Sequence, residues 1–243
     1  MPGLDIVAVP CLTDNYAWLL RDRETGAVAV VDPGEAGPVE RALAAKSWPL
    51  DLILLTHHHA DHVGGALELR ARFGAELVGA AADRHRLPPL DREVRPGDTV
   101  SVGDSEATVI ATPGHTAGHV AYHFATARVL ACGDTLFSLG CGRVFEGTMA
   151  EMFETLRRLA ALPDDTLVLS GHEYTEANAR FACHVDPANA ALAARAEDVR
   201  RQRAEGRPTL PVPLGLEKRT NPFLRARDAA EFARLRAEKD SFR

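Results

Sequence analysis

Long apolar runs are missing from this chain of 243 residues. None approaches the roughly 20 residues that a membrane-spanning helix requires, so no membrane partner is expected. The N-terminus, "MPGLDIVAVP", has neither a basic opening nor an extended apolar stretch, and no secretory signal is read there. Cysteine is scarce. Cys11, Cys132, Cys141 and Cys183 are scattered and show no CxxC spacing. In a chain without a signal peptide they are expected to be reduced thiols, which gives a cytoplasmic address. An excess of positive charge is also lacking. The net charge of -6 argues against a general nucleic-acid binder.

What is present is ordinary for a globular protein: 46% hydrophobic and 26% charged residues. The length allows one large domain, or one domain with a smaller addition. Charge is unevenly spread. Residues 1–185 hold 15 Lys/Arg against 25 Asp/Glu, whereas residues 186–243 hold 13 against 9. A basic tail on an acidic body reads either as solvated helix faces or as a surface that meets an anionic small molecule.

Along the chain, "LDIVAV", "YAWLL" and "AVAVV" predict strands, with "DRETG" as a turn. "DPGEAG" leads into a helix near 38–46, and "DLILL" is apolar throughout, as expected of a strand buried on both faces. "VGGALELRARFG" predicts a helix stopped by Gly74, and "ELVGA" another strand. A second strand-rich half follows, from "DTVSV" to "TLVLSGH", with a helix over "MAEMFETLRRLAAL". Two such halves with helices outside predict an α/β fold, a four-layer αβ/βα sandwich. After about residue 175 the chain changes character. "PANAALAARAEDVRRQRAEG" and "ARDAAEFARLRAEKD" predict helices, and "RPTLPVPLGLEKRTNPFL" reads as a Pro-rich connection. The expected division is an α/β domain over 1–175 and a helical addition over 176–243. With no repeats and no low-complexity linker, the addition should dock on the body.

The polar groups of interest all follow apolar strands. "THHHADH" (56–62) comes straight after "DLILL", His115 after "VIATPG", Asp134 after "VLACG" and His172 after "LVLSG". Strand C-termini in layered α/β folds open onto one crevice. Five histidines and two aspartates converging there suffice for two metal ions. In an extended segment, side chains at i and i+2 project the same way. His57 and His59 can therefore pinch one ion while His58 points away as a spacer. Asp61 and His62, redirected by the following helix, can hold a second ion nearby. His115 would complete the first site and His172 the second, with Asp134 bridging both. Two divalent ions per chain are expected, zinc first with iron or manganese as alternatives: imidazole suits zinc and also iron, carboxylate admits manganese, and the residues alone do not choose among them. His119, four residues past His115, is read as an orienting group.

On these residues the chain resembles the metallo-β-lactamase superfamily, whose HxHxDH signature matches "THHHADH". That signature speaks for fold and metal site and not for substrate. Beyond it, "CLTDNYAWLL", "TPGHTAGHVAYH", "CGDTLFSLGCGRVFEGT", "GHEYTEANARFA", "TNPFLR" and "LRAEKDSF" resemble the glyoxalase II, or hydroxyacylglutathione hydrolase, family nearly end to end. The resemblance implies that His57, His59, His115 and Asp134 hold one metal, and that Asp61, His62, His172 and Asp134 hold the other. It implies glutathione contacts from Arg143, Tyr174, Arg236 and Lys239. Relatives often carry Tyr two residues after the basic position. Phe145 stands there in this chain, so a hydroxyl contact would be lost.

The implied activity is hydrolysis of S-D-lactoylglutathione to D-lactate and glutathione, a step of methylglyoxal detoxification. Hydroxide generated between the two ions would attack, with Asp61 orienting or deprotonating it and Asp134 as the bridge. A thiol with a pKa of about 8.5 leaves without much acid assistance, so no Ser-His-Asp triad is needed. The expected partner is a glutathione thioester, with no nucleic acid and no membrane, and the expected state is a monomer. The alternatives are a mononuclear-iron dioxygenase of glutathione persulfide, another hydrolase of this fold, or a non-catalytic metal-binding protein. The presence of Asp61, His62 and His172 favours two ions over one.

Overall fold

The computed structural model describes residues 3–242. Two six-stranded sheets lie face to face. In the first, β1 (Leu4–Cys11), β2 (Asn15–Asp22), β3 (Val28–Val31), β4 (Leu52–Leu54), β5 (Glu76–Ala80) and β6 (Arg92–Val94) are neighbours in chain order. The pairs up to β3 are antiparallel, and those from β3 to β6 are parallel. In the second sheet, β7 (Thr99–Val102), β8 (Ser105–Ala111), β9 (Val120–Phe124) and β10 (Val129–Gly133) form an antiparallel meander. The sheet continues through β13 (Leu167–Ser170), parallel to β10, to β14 (Val212–Pro213). The short β11 (Leu136–Phe137) and β12 (Gly140–Cys141) make a hairpin beside the site.

Alternation along the strands decides which side chains meet. Trp18, Leu20, Val31, Leu54 and Val78 point inward, onto Val109, Tyr122, Ala131 and Leu169 of the opposite sheet. Their neighbours Leu19, Val30, Ile53 and Leu77 point outward, under Val39 and Leu43 of α1 (Ala36–Lys46) and Leu69 of α3 (Ala66–Phe73). On the far side, Met152, Leu156 and Leu159 of α4 (Met149–Ala160) cover the second sheet, together with Phe232 of α8 (Ala229–Ser241). Each such side chain contributes about 1.5–3 kcal/mol on burial. The layers are helix, sheet, sheet, helix. A Thr148–Glu151 capping box starts α4 by satisfying two of its free N–H groups.

The expected helix over "VGGALELRARFG" ends at Gly74 as read but begins only at Ala66, as α3; its first residue, Val63, closes the separate short helix α2 (Ala60–Val63). The reason is the Gly64–Gly65 pair, which packs against the segment after β3. A Cβ on Gly64 would lie 2.6 Å from Gly34 O, and one on Gly65 2.5 Å from Ala36 N. The Pro-rich connection also contains more order than its composition suggests. It carries β14 and the short helix α7 (Leu214–Thr220).

α5 (Thr175–Val185) and α6 (Ala190–Ala204) pair through Ala179, Ala182, Leu192 and Ala196. Glu217 of α7 is buried and fixes this helical region to the body. Its carboxylate accepts from Ser138 Oγ at 2.7 Å, Leu139 N at 2.7 Å and Asn221 Nδ2 at 3.0 Å. Among the described residues no helix is long and apolar enough to cross a membrane.

Candidate metal centre and substrate cavity

The two sheets meet at the ends of their strands. Tyr16 N donates to Gly171 O and Gly171 N to Gly133 O, joining β2, β13 and β10 at one point. The loops leaving β4, β8, β10 and β13 place their polar residues around that junction.

His57, His59 and His115 form the first cluster. His57 Nε2 lies 3.1 Å from His59 Nδ1, which lies 3.0 Å from His115 Nε2. Asp61, His62 and His172 form the second. Asp61 Oδ2 is 3.5 Å from His62 Nε2 and 3.4 Å from His172 Nε2, and the two imidazoles are 3.3 Å apart. Asp134 stands between the clusters. Its Oδ1 is 3.3 Å from His62 Nε2, and its Oδ2 is 3.3 Å from His172 Nε2 and 3.5 Å from His115 Nε2.

These separations match a tetrahedral shell. Bonds of about 2.0–2.1 Å put ligand atoms about 3.3 Å apart. Asp134 Oδ1 is buried and has no hydrogen-bond partner, a costly state for a carboxylate unless a cation completes it. Space is kept for one. A Cβ on Gly171 would come within 2.3 Å of Asp134 Oδ1 and 2.6 Å of His62 Cε1. The donor set therefore fits two divalent ions.

The electrostatics separate the clusters. Burial holds the first three imidazoles below their ordinary range, so they are neutral and ready to ligate. In the second, burial also disfavours the charged ring. The carboxylates outweigh it there. Asp134 and Asp32 hold His62 well above its usual range, and Asp134 with Asp61 raises His172 to about 10. The His172 contact holds the Asp61 carboxyl low, and His62 with His172 depresses Asp134 despite burial. This half of the site calls for positive charge.

Outer partners fix the rings. Asp32 Oδ2 faces His62 Nδ1 at 3.1 Å and accepts from Thr56 Oγ1 at 2.6 Å. Asp14 Oδ1 faces His172 Nδ1 at 2.9 Å, and Asn15 Nδ2 donates to Asp61 Oδ2 at 2.9 Å. The Arg143 carbonyl faces His115 Nδ1 at 2.8 Å. His119 stacks on His57 and accepts from Asp134 N at 3.3 Å, behind the donor atoms. Asp14, Asn15, Asp32 and Thr56 were not singled out from the sequence. Their one signal in the sequence is general: a ligating ring needs a partner at its second nitrogen. His58 leaves the centre and faces Asp83 at 3.2 Å.

A cavity of about 530 Å³ opens from the clusters, lined by Asp61, His115, Asp134, Phe137, Arg143, Phe145, Tyr174, Arg236 and Lys239 among others. Arg143 is exposed, with Nε 3.6 Å from Asp240. Tyr174 lies over His172. Lys239 is half-buried against Phe181 and Phe242, and its Nζ donates to Ala177 O at 3.2 Å. Arg236 is more committed than its sequence position suggests. It is buried, with Nη1 donating to Cys141 O at 2.9 Å and Nη2 to Asp240 Oδ1 at 2.8 Å. Phe145 is 61% exposed at the rim, its ring 5.2 Å from His115 and 6.0 Å from His59.

Residues 12–172 match the Metallo-beta-lactamase superfamily, and residues 173–242 match the Hydroxyacylglutathione hydrolase C-terminus. A hydroxyacylglutathione hydrolase of Acidiphilium cryptum is 58% identical, over 99% of this chain and 98% of its own. One of Cereibacter sphaeroides is 52% identical, over 98% and 99%. Among solved structures, ETHE1 from Myxococcus xanthus superposes with a TM-score of 0.72 at 28% identity, over 99% of this chain and 92% of its own.

Proposed function

Since this chain belongs to the hydroxyacylglutathione hydrolase family of the metallo-β-lactamase superfamily, we propose that it works as a thioesterase of the glyoxalase pathway. Water cleaves the thioester of an S-(2-hydroxyacyl)glutathione, S-D-lactoylglutathione above all, giving D-lactate and glutathione. One observation carries this reading: two His/Asp clusters open onto a cavity walled by Arg143, Tyr174 and Lys239.

The site residues have these roles. His57, His59 and His115 would hold one ion, Asp61, His62 and His172 the other, and Asp134 would serve both. Zinc is the ion we assign, on the imidazole-rich donor set. When bound, the ions supply Lewis acidity and bring the pKa of water toward about 7. Asp61, whose Oδ2 is held by Asn15, would orient the attacking water or take its proton. The cations Arg143 and Lys239, with the buried charge of Arg236, receive the anionic glutathione moiety, and the Tyr174 hydroxyl donates to it. Glutathione then leaves as a thiolate without an acid partner. No cysteine acts as nucleophile. Cys132 and Cys141 are buried, and burial pushes their thiols up to about 12 and about 11.

The working unit is a cytoplasmic monomer, divided into a catalytic domain over 1–175 and a substrate-binding addition over 176–243. Two complete clusters favour this reading over a one-ion dioxygenase. The test is turnover of S-D-lactoylglutathione by metal-loaded protein. Release of glutathione supports the reading. Oxygen uptake with glutathione persulfide at one iron per chain would overturn it.

A further inference from the structure

His58 sits between two metal-ligand candidates yet belongs to a different set of contacts. Its Nδ1 faces Asp83 Oδ2 at 3.2 Å. Asp83 ends the 3-10 turn Ala81–Asp83 that follows β5, and it is buried. Its Oδ1 accepts from Arg86 Nη2 at 2.5 Å. The carboxylate also presses on the loop that carries His115. A Cβ on Gly118 would lie 2.2 Å from Asp83 Oδ1, so that position needs a glycine for space alone.

Arg86 then crosses to the second half of the fold. Its Nη1 donates to Glu146 Oε1, while Glu146 Oε2 accepts from Ala117 N at 2.8 Å. His58 Nε2 completes the ring of contacts, 3.6 Å from Glu146 Oε1. Segment 143–147 is thereby tied down at its far end. At its near end the Arg143 carbonyl meets His115 Nδ1, while beside Glu146 the Gly147 N donates to Gly114 O at 3.1 Å. The side chains this segment presents to the cavity are Arg143 and Phe145, both exposed. An exposed side chain owes its placement to the backbone beneath it.

We infer that Arg86 and Glu146, seated on Asp83 and His58, are positioning residues: they clamp segment 143–147 so that Arg143 and Phe145 stand over the cavity. The pair sets affinity for the glutathionyl part of the substrate and takes no part in breaking the thioester. The inference rests on the thioesterase reading above, and the charges that form the clamp come from opposite halves of the sandwich. One clamp thus fixes the metal-bearing loop and the substrate-bearing segment to each other.

The test uses full-length, metal-loaded protein and the variants Arg86→Met, Arg86→Lys, Glu146→Gln and Glu146→Ala. First, amide hydrogen exchange is followed in residues 142–147 and 56–62. Exchange in 142–147 should speed up in Arg86→Met and Glu146→Ala while 56–62 stays protected, and this readout needs no turnover. Second, KM for S-D-lactoylglutathione should rise about 3- to 10-fold in those two variants, with kcat within about 2-fold and metal content unchanged. Arg86→Lys, which keeps the charge, should recover most of the affinity, and Glu146→Gln should fall between. Unchanged exchange and unchanged KM in folded Arg86→Met and Glu146→Ala would overturn the inference. So would a fall in kcat that tracks lost metal, which would make the pair a support of the metal loop. Wild-type protein that releases no glutathione from any acyl-glutathione would instead count against the thioesterase reading, and the exchange data would still decide whether the clamp exists.

Discussion

The ring of Tyr174 lies flat on that of His172, with 4.5 Å between centroids and 5° between planes. A residue assigned to the substrate therefore touches a residue assigned to a metal. Two substitutions separate the contributions. Tyr174→Phe keeps the stack and loses the hydroxyl. It should raise KM about 2- to 10-fold with kcat little changed, as for one ordinary hydrogen bond. Tyr174→Ala loses both, and should also weaken retention of the second metal, read as metal per chain after dialysis against a mild chelator.

Lys239 predicts a pH dependence. Burial, followed by repulsion from Arg236, Arg180 and Arg143, lowers its pKa to about 8. The ammonium is thus present below that pH and lost above it, so kcat/KM should decline as pH rises through about 8. Lys239→Arg should carry the plateau further into the alkaline range, because a guanidinium keeps its charge. Lys239→Ala should raise KM more than it lowers kcat and remove this limb of the profile. The same alkaline limb in wild type and Lys239→Arg would assign it to another group.

Asn15 is expected to act through Asp61. Its Nδ2 donates to Asp61 Oδ2 at 2.9 Å and faces Asp61 O at 3.2 Å. Asn15→Ala should loosen the second ion by about 10- to 100-fold, as loss of an outer-shell partner typically does. Isothermal titration of metal-free protein checks this. The weaker of two binding phases should shift while the phase assigned to His57, His59 and His115 stays in place.

Gly171 offers a steric test. A methyl group there would meet Asp134 Oδ1 at 2.3 Å and His62 Cε1 at 2.6 Å. The Gly171→Ala variant should fold, bind less than two ions per chain, and lose most of its thioesterase activity. Its far-UV circular dichroism should match wild type, so that loss of metal is not confused with loss of fold.

The sequence exposed what is local. "THHHADH" carries four donors within six residues, and strand alternation over "YAWLL" and "DLILL" sorts the two faces of the first sheet. The four layers followed from two strand-rich halves with helices outside. Contacts made at long range were not legible. Asp32 sits in what reads as a plain turn, "DPGEAG", and its role depends on His62, 30 positions away. α7 lies among prolines, and the contacts that order it, such as those of the buried Glu217 with Ser138 and Leu139, come from far back in the chain. The helix split at Gly64–Gly65 needed the position of Gly34 and Ala36. Arg236 looks like one more cation on an amphipathic helix until Cys141 and Asp240 are seen at its nitrogens.

In the proposed mechanism two ions, held by His57, His59, His115 and by Asp61, His62, His172 with Asp134 between, serve thioester hydrolysis. The most direct measurement follows release of glutathione from S-D-lactoylglutathione during stepwise metal loading, with metal content determined on the same samples. Activity should be negligible without metal, rise with loading and plateau at two ions per chain. Full activity at zero metal, or no thioester turnover at two ions per chain, would contradict it.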